Sequence, residues 1–343
     1  MLQWGVPILD PSFPSVALGL AGSAAVIYLA CEYFVNGVEW VGHRFAMGQK
    51  ATGTLLAAFG TALPESVVTL VAVAFGAGAA SKDIGVGAAL GGPLVLATIA
   101  YAIAGLALLV CRRPLRGPSA AADFAALSRD QAWFIGLFVV KLGVGLIAFA
   151  FKPWLGVLFL AAYAVYAWKE ATADVEEAEG ELEPLNLQPK AGEPATTLIL
   201  LQTFLSLAVV FCASRVFVSR LGALGHMVGL GPQLLALLLS PIATELPEIL
   251  NAIIWIRQGK VRLALANISG SMMIQATIPT ALGLFFTPWL LQPSLVAAGA
   301  ATLAAMVLLY AGFRSGRISR SMLAAMALFY ALFLIDVWLG HLS

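Results

Sequence analysis

Long apolar stretches, separated by short polar segments, follow one another along almost the whole chain. A stretch of about 20 apolar residues is long enough to cross a bilayer as an α-helix. The pattern predicts ten such stretches, with ends accurate to several residues, at 15–42, 51–76, 84–111, 131–150, 153–169, 196–220, 231–257, 262–290, 294–313 and 320–340. We therefore predict an all-α polytopic membrane protein with about ten transmembrane helices.

The composition agrees with a chain that is buried in lipid. Of its 343 residues, 61% are hydrophobic and 11% are charged, whereas a soluble domain has about 25% charged residues. The net charge of +1 indicates no basic surface for nucleic acid. The three cysteines are scattered without metal-ligand spacing, and no motif of a nucleophile or a phosphate-binding loop is present. We expect the lipid bilayer as a partner, no cofactor and no enzymatic activity.

One polar segment, ADVEEAEGELEPLNLQPKAGEP at residues 173–194, interrupts the apolar pattern. It is acidic, contains proline and has no apolar helical stripe, so it predicts a linker between two halves of five helices each. A linker of this kind can bind a regulatory cation, but we favour a plain solvated loop. The predicted organisation is a first half at 1–172, a linker at 173–195 and a second half at 196–343.

The two halves resemble each other when the sequence is shifted by 183 residues. The phrase GTALPES at residues 60–66 then aligns with ATELPEI at 243–249, and a Gly-His pair upstream also coincides. The identical positions of the motif are Thr61 and Thr244, Leu63 and Leu246, Pro64 and Pro247, and Glu65 and Glu248. Apolar composition alone does not readily produce such a match, so we predict an internal duplication.

The duplication predicts inverted repeats. Because each half has an odd number of helices, the second half must enter the membrane from the opposite side, as in many secondary transporters. With the N-terminus outside, Lys82, Lys152 and Arg220 are the basic residues of the outer loops, and most of the 19 Lys and Arg residues fall inside. Since basic residues concentrate in cytoplasmic loops, we expect both termini outside and the linker in the cytoplasm of a prokaryotic cell.

The repeated motif has the chemistry of a cation site. A proline inside a helix leaves a backbone carbonyl without its hydrogen-bond donor. That carbonyl, a threonine hydroxyl and a carboxylate are hard oxygen ligands, which suit Na⁺ and Ca²⁺. A carboxylate inside a membrane is costly unless it has a function or a partner. We expect the inversion to bring Glu65 and Glu248 together near the midplane, where cations compete for their charge.

The two motifs resemble the repeat signatures of the calcium/cation antiporter superfamily, which includes the sodium/calcium exchangers. The usual form is G-T-S-L-P-E, followed on the next helix by G-N-x-x-G-S-N-x-x-N. The resemblance implies a secondary antiporter that exchanges Ca²⁺ for Na⁺ by alternating access, with the two motif glutamates as central ligands. The cation-binding residues that it implies are Thr61 and Glu65 in the first repeat and Thr244, Glu248 and Ser271 in the second, with Gln275 where an amide or carboxylate is expected. We add Glu245, which stands where serine is typical, as a further candidate ligand.

The sequence departs from the family pattern mainly in its first repeat. There the second signature is GAALGGPLVL, with Ala88, Gly92 and Leu96 at positions where Asn or Ser is usual. The second repeat instead gains a carboxylate at Glu245, opposite Ala62. Because Ca²⁺ takes six to eight oxygen ligands, the loss leaves a cation/proton exchanger, Ca²⁺/H⁺ or Na⁺/H⁺, as the alternative.

Lys141 lies in the middle of a predicted span. Its ammonium can neutralise a site carboxylate and stand in for one bound cation, but we favour a structural pair with Glu32 or Glu39. Trp289, near a predicted span end, is expected to anchor the chain at the membrane interface. A non-transporting sensor and an intramembrane enzyme are less favoured functions, and the oligomeric state stays open.

Overall fold

Helices make up nearly all of the computed structural model, which describes residues 12–44, 57–115, 120–172, 183–190 and 192–340. Several of the longer helices are joined through short π-helical turns or sharp bends, so neighbouring labels can belong to one membrane crossing. The helices are α1 Phe13–Arg44, α2 Ala57–Leu70 with a π-helical turn Val71–Phe75, α3 Gly78–Val95 with a π-helical turn Leu96–Ala100, α4 Tyr101–Val110, α5 Ala120–Leu146, α6 Trp154–Thr172, α7 Thr196–Val228, α8 Pro232–Thr244, α9 Leu246–Arg257, α10 Val261–Phe286, α11 Pro293–Arg314, α12 Arg320–Ala324 and α13 Ala327–Trp338.

These helices form the polytopic architecture that the apolar pattern predicts. Six continuous helical stretches are long and apolar enough to cross a membrane, and the bent pair α8–α9 is a seventh. The helix α2 with its π-helical turn and the helix α6 are shorter apolar helices. With α5, which has 27 residues but several charges, the described part of the chain contains ten helical segments in the order of the ten predicted stretches.

The crossings differ in how deeply they are buried in the protein. The most apolar window of α3–α4 is 67% buried and that of α10 is 78% buried, whereas those of α1 and α7 are only 22% and 28% buried. The helices α1 and α7 pack along each other at the periphery. Two central helices are thus surrounded by protein, and a peripheral pair exposes most of its apolar surface.

The two halves of the chain interlock through their central helices. The helix α2 packs on α10, and α3 packs on α8. Glycines allow the second contact, because a Cβ atom at Gly91 would lie 2.5 Å from the carbonyl oxygen of Leu237, and one at Gly87 would overlap Gln233. Small residues of this kind let helix backbones approach closely in lipid. The division into inverted repeats stays a prediction.

One boundary differs clearly from the sequence prediction. The helix α5 begins at Ala120, about three turns before the predicted start at residue 131. The additional turns contain charged residues, which end an apolar pattern without ending a helix. One of them, Asp123, is paired with Arg262 at the start of α10, with 3.2 Å between Oδ1 and Nε. The helix therefore continues past its apolar part because its polar end has a partner.

The end of the linker is docked on α1 through one buried side chain, although most of residues 183–190 are exposed. Leu185 is fully buried in a small cluster with Trp40. The Asn36 amide donates to the carbonyl oxygen of Pro184 at 3.2 Å, and its Oδ1 accepts from the backbone N–H of Asn186 at 3.0 Å. The prediction of a solvated loop is therefore wrong at Leu185, because this apolar side chain docks against Trp40. Residues 173–182 lie outside the described part of the chain.

Candidate functional site

The second motif lies at a break between two helices. The helix α8 ends at Thr244, α9 begins at Leu246, and the two axes are bent by 43°. The bend follows from Pro247, which has no N–H to donate to the preceding turn and lies in the first turn of α9. Glu245 forms the junction itself, and both Glu245 and Glu248 are fully buried.

The first motif lies in a continuous helix. Pro64 is inside α2, which continues through it and packs against α1, α3 and α10. Glu65 is buried on this helix, next to an equally buried Ala62 at the position of Glu245. The two copies of the motif therefore differ in backbone shape as well as in charge. Thr61 belongs to α2, but its side chain lies outside the described residues.

Glu245 is held by two side chains. The Thr244 hydroxyl donates to its Oε1 at 2.7 Å, and the Gln275 amide donates to its Oε2 at 2.6 Å. Gln275 belongs to α10 and is fully buried. Its own Oε1 has no hydrogen-bond partner in the described part of the chain. The pairing thus fixes the carboxylate and leaves a buried amide oxygen free to accept.

Glu65 points its carboxylate towards the same region. Both of its oxygens are buried without a hydrogen-bond partner among the described residues. A Cβ atom at Gly92 would lie 2.7 Å from Glu65 Oε2 and 2.8 Å from Gln275 Oε1. The absence of a side chain at Gly92 therefore opens the space into which these two oxygens converge. A buried, unpaired carboxylate is costly, which makes this position a candidate ligand site.

The acidic groups from the two motifs form one electrostatic cluster. Glu65 and Glu245 converge on Gln275, and the Lys141 ammonium donates to the backbone carbonyl of the same residue. Glu248 follows Glu245 by three residues in α9, within electrostatic reach of Glu65. In the described ranges no three Asp, Glu, His or Cys side chains are close enough to hold one metal ion together. A cation bound here therefore needs neutral oxygens or water between the carboxylates, or a small movement of the carboxylates towards it.

Lys141 belongs to this cluster and not to a pair with Glu32 or Glu39. Its ammonium is fully buried and donates to the carbonyl oxygens of Ala89 at 2.6 Å and Gln275 at 3.2 Å. The expected structural pair with α1 is wrong because α5 packs on α10 and α11. Sequence indicated the depth of Lys141 in the membrane but not which helices surround it.

Trp289 is a residue that the sequence placed wrongly. It is fully buried rather than interfacial, and its ring lies against Gly283 on α10. Its Nε1 donates to the carbonyl oxygen of Lys141 at 3.2 Å, and the Lys141 ammonium is 5.8 Å from its ring. The signal that could have located it is Gly283, because a helical glycine makes room for a large ring.

The remaining predicted positions divide between the two repeats. Ser271 is buried one turn before Gln275 on α10, on the same helix face. In the first repeat, Ala88 and Leu96 are buried and supply no side-chain oxygen. The polar groups of the site therefore come mainly from the second repeat, and Glu65 is the main acidic contribution of the first.

A cluster of buried carboxylates inside a bundle of membrane helices defines the class of an ion-transporting membrane protein. The sequence model of the sodium/calcium exchanger protein family matches residues 15–169 and 198–339. The chain therefore belongs to the sodium/calcium exchanger family. It is an integral, multi-pass cation antiporter and not an enzyme.

Individual relatives agree with this assignment. The inner membrane protein YrbG of Escherichia coli (strain K12) is 25% identical over 286 residues, which is 81% of this chain and 82% of that protein. The solved structure of the H⁺/Ca²⁺ exchanger CAX has a TM-score of 0.73 at 17% identity and covers 94% of this chain and 82% of its own. The sodium-calcium exchanger NCX_Mj has a TM-score of 0.59 at 18% identity and covers 94% and 99%. These structures share the fold.

Proposed function

We propose that the chain exchanges Ca²⁺ for Na⁺ at the cluster formed by Glu65, Glu245 and Glu248. The observation that supports it most directly is the convergence of the unpaired Glu65 carboxylate and the free Oε1 of Gln275 beside Gly92. Carboxylate and amide oxygens are ligands that Ca²⁺ and Na⁺ prefer. Three further side chains contribute oxygen ligands to the proposed site: Thr61, Thr244 and Ser271. Backbone carbonyls and water supply the remaining ligands of Ca²⁺.

Protons are the second candidate for the counter-ion. The first repeat supplies few neutral oxygens, since Ala88, Gly92 and Leu96 occupy positions that are polar in the family pattern. A site with few neutral ligands and several carboxylates can exchange its cation for protons instead of Na⁺. The fold likeness to an H⁺/Ca²⁺ exchanger agrees with this alternative.

Alternating access supplies the transport step. The site lies between the buried central helices, whereas α1 and α7 pack mainly on each other and expose most of their apolar surface. We propose that this peripheral pair slides along the central helices and opens the site to either side in turn. The orientation that goes with this mechanism has both termini outside and the linker in the cytoplasm.

The proposal is tested by ⁴⁵Ca²⁺ uptake into proteoliposomes, with a Na⁺ gradient in one set and a pH gradient in another. Glu65→Gln and Glu248→Gln each remove one negative charge from the cluster. Each variant should abolish uptake, because the substituted side chain can no longer neutralise the ion. Glu32→Gln changes an exposed carboxylate on α1 and should leave uptake intact.

The outcomes separate the candidates. Uptake that needs the Na⁺ gradient supports Ca²⁺/Na⁺ exchange, and uptake that needs only the pH gradient supports Ca²⁺/H⁺ exchange. Absence of Ca²⁺ uptake under both gradients, with monodisperse and folded protein, would overturn the assignment of Ca²⁺. Full activity of both glutamine variants would overturn the assignment of the site.

A further inference from the structure

The Lys141 ammonium is bound by two carbonyls that prolines have released. A helical carbonyl accepts from the N–H four residues later. Four residues after Ala89 stands Pro93, and four residues after Gln275 stands Pro279, and both prolines lie inside their helices. Since proline has no N–H, both carbonyls lack their helical donor. The ammonium of Lys141 donates to both, at 2.6 Å and 3.2 Å.

This position has the features of a monovalent cation site. Backbone carbonyls without helical donors are ligands for Na⁺ in membrane transporters. Here the two carbonyls come from the central helices α3 and α10, and the aromatic rings of Phe138 and Trp289 lie 5.4 Å and 5.8 Å from the ammonium. Aromatic faces also attract cations. The pocket therefore suits a single positive charge, and Lys141 supplies it from α5.

The charges of the cluster match either one divalent ion or two monovalent ions. In their charged forms, Glu65, Glu245 and Glu248 contribute three negative charges, and Lys141, which donates to the carbonyl of the Gln275 that holds Glu245, contributes one positive charge. Two negative charges remain, which one Ca²⁺ or two monovalent cations neutralise. A net charge in the membrane interior is costly. The transporter should therefore switch between its two membrane orientations only when the bound ions make the cluster neutral.

We propose that Lys141 is a tethered monovalent cation that permanently occupies one ion position, so that one Ca²⁺ exchanges for two monovalent cations without net charge transfer. This inference rests on the proposed function and adds its stoichiometry. It also explains how the first repeat tolerates the loss of polar ligands at Ala88, Gly92 and Leu96. The position that the Lys141 ammonium occupies binds no exchangeable ion, so it needs no further side-chain ligands.

The wild-type protein alone gives the first test. Proteoliposomes are clamped at 0 or −100 mV with K⁺ and valinomycin, and the final ⁴⁵Ca²⁺ gradient is measured at a fixed gradient of Na⁺, or of H⁺ if protons drive uptake. An exchange without net charge transfer leaves this gradient unchanged. Exchange of three monovalent cations for one Ca²⁺ would move one charge and shift the gradient by about fifty-fold per 100 mV.

Two lysine variants give the second test. Lys141→Met removes the tethered charge and leaves a cluster that needs one more monovalent cation, so uptake should fall and recover as Na⁺ rises on both sides. Lys152→Met is the matched control. Lys152 is also buried and donates to two carbonyls, those of Ile147 and Trp289, but it is not part of the acidic cluster. This control should keep the wild-type Na⁺ dependence.

Each result decides one question. A wild-type gradient that shifts with potential overturns the role of Lys141 but leaves Ca²⁺ antiport standing. A folded Lys141→Met protein with unchanged Na⁺ dependence overturns it as well. Complete absence of Ca²⁺ flux coupled to Na⁺ or H⁺ in the wild type instead overturns the proposed function. If Lys141→Met does not fold, the potential measurement on the wild type decides alone.

Discussion

Substitution of Gly92 by alanine tests the geometry of the site most directly. The new Cβ atom would lie 2.7 Å from Glu65 Oε2 and 2.8 Å from Gln275 Oε1. Ordinary contact begins at 3.4 Å, so the carboxylate must retreat by about 0.7 Å, a large shift for a Ca²⁺–oxygen bond of roughly 2.3–2.6 Å. Both atoms are at the ends of flexible side chains and can move. The effect should therefore appear in ion affinity more than in folding.

The size of the effect follows from the strain of the displaced glutamate. Holding a side chain about 30° off its rotamer costs about 0.5–1.5 kcal/mol. At roughly 1.36 kcal/mol per factor of ten, the half-saturating Ca²⁺ concentration should rise about 2- to 13-fold. The assay is the Ca²⁺ dependence of ⁴⁵Ca²⁺ uptake, together with a thermal melt in detergent.

Gly136→Ala on α5 is the matched control for Gly92→Ala, because a Cβ atom there would meet no atom within 4 Å. Both variants gain the better helix propensity of alanine, about 0.8–1 kcal/mol. The reasoning is refuted if Gly92→Ala folds and keeps the wild-type Ca²⁺ affinity. It is equally refuted if Gly136→Ala loses affinity to the same extent.

Two further predictions concern the charge of the cluster and the docked linker. Glu245→Gln should lower Ca²⁺ uptake roughly ten- to hundredfold, since hydrogen bonds to a charged group contribute about 1.5–3 kcal/mol. Exchange of ²²Na⁺ should persist, because Glu65, Glu248 and Lys141 together still carry one net negative charge. Equal loss of both fluxes would contradict this. Asn36→Ala should release the segment around Leu185, speed its proteolysis and leave transport unchanged. The loss of stability should be about 1–3 kcal/mol, because the hydrogen-bond partners of Asn36 are orphaned. Protease resistance equal to that of the wild type would contradict this prediction.

The burial of the motif glutamates was predictable because its signal is local. Glu65 and Glu248 repeat in register with proline and threonine, and a carboxylate in an apolar helix has few purposes other than function. The number and order of the helices were predictable for a similar reason, since each crossing needs its own apolar stretch. Charged turns such as the start of α5 were missed because they lie outside that apolar signal.

The surroundings of Lys141 were not predictable from local pattern. Its partners come from α3 and α10, and the choice of neighbouring helices is a tertiary property that periodicity does not specify. One signal was nevertheless present in the sequence. Pro93 and Pro279 each release a carbonyl one turn earlier, and released carbonyls in a membrane must find a donor or a cation. The released carbonyls predict that some cation lies nearby, although not that it is a lysine.

The interlocked packing of α2 on α10 and of α3 on α8 has a consequence for biosynthesis. Ribosomes add about 5–20 residues per second, so α3 waits on the order of ten seconds for α8 after it is made. During this interval the glycine face of α3 lacks the backbone that will cover it. Glu65 is made long before Glu245 at the junction of α8 and α9 and before Glu248 in α9. We therefore expect the half-chain to be an assembly intermediate and the two halves to mature as a single cooperative unit.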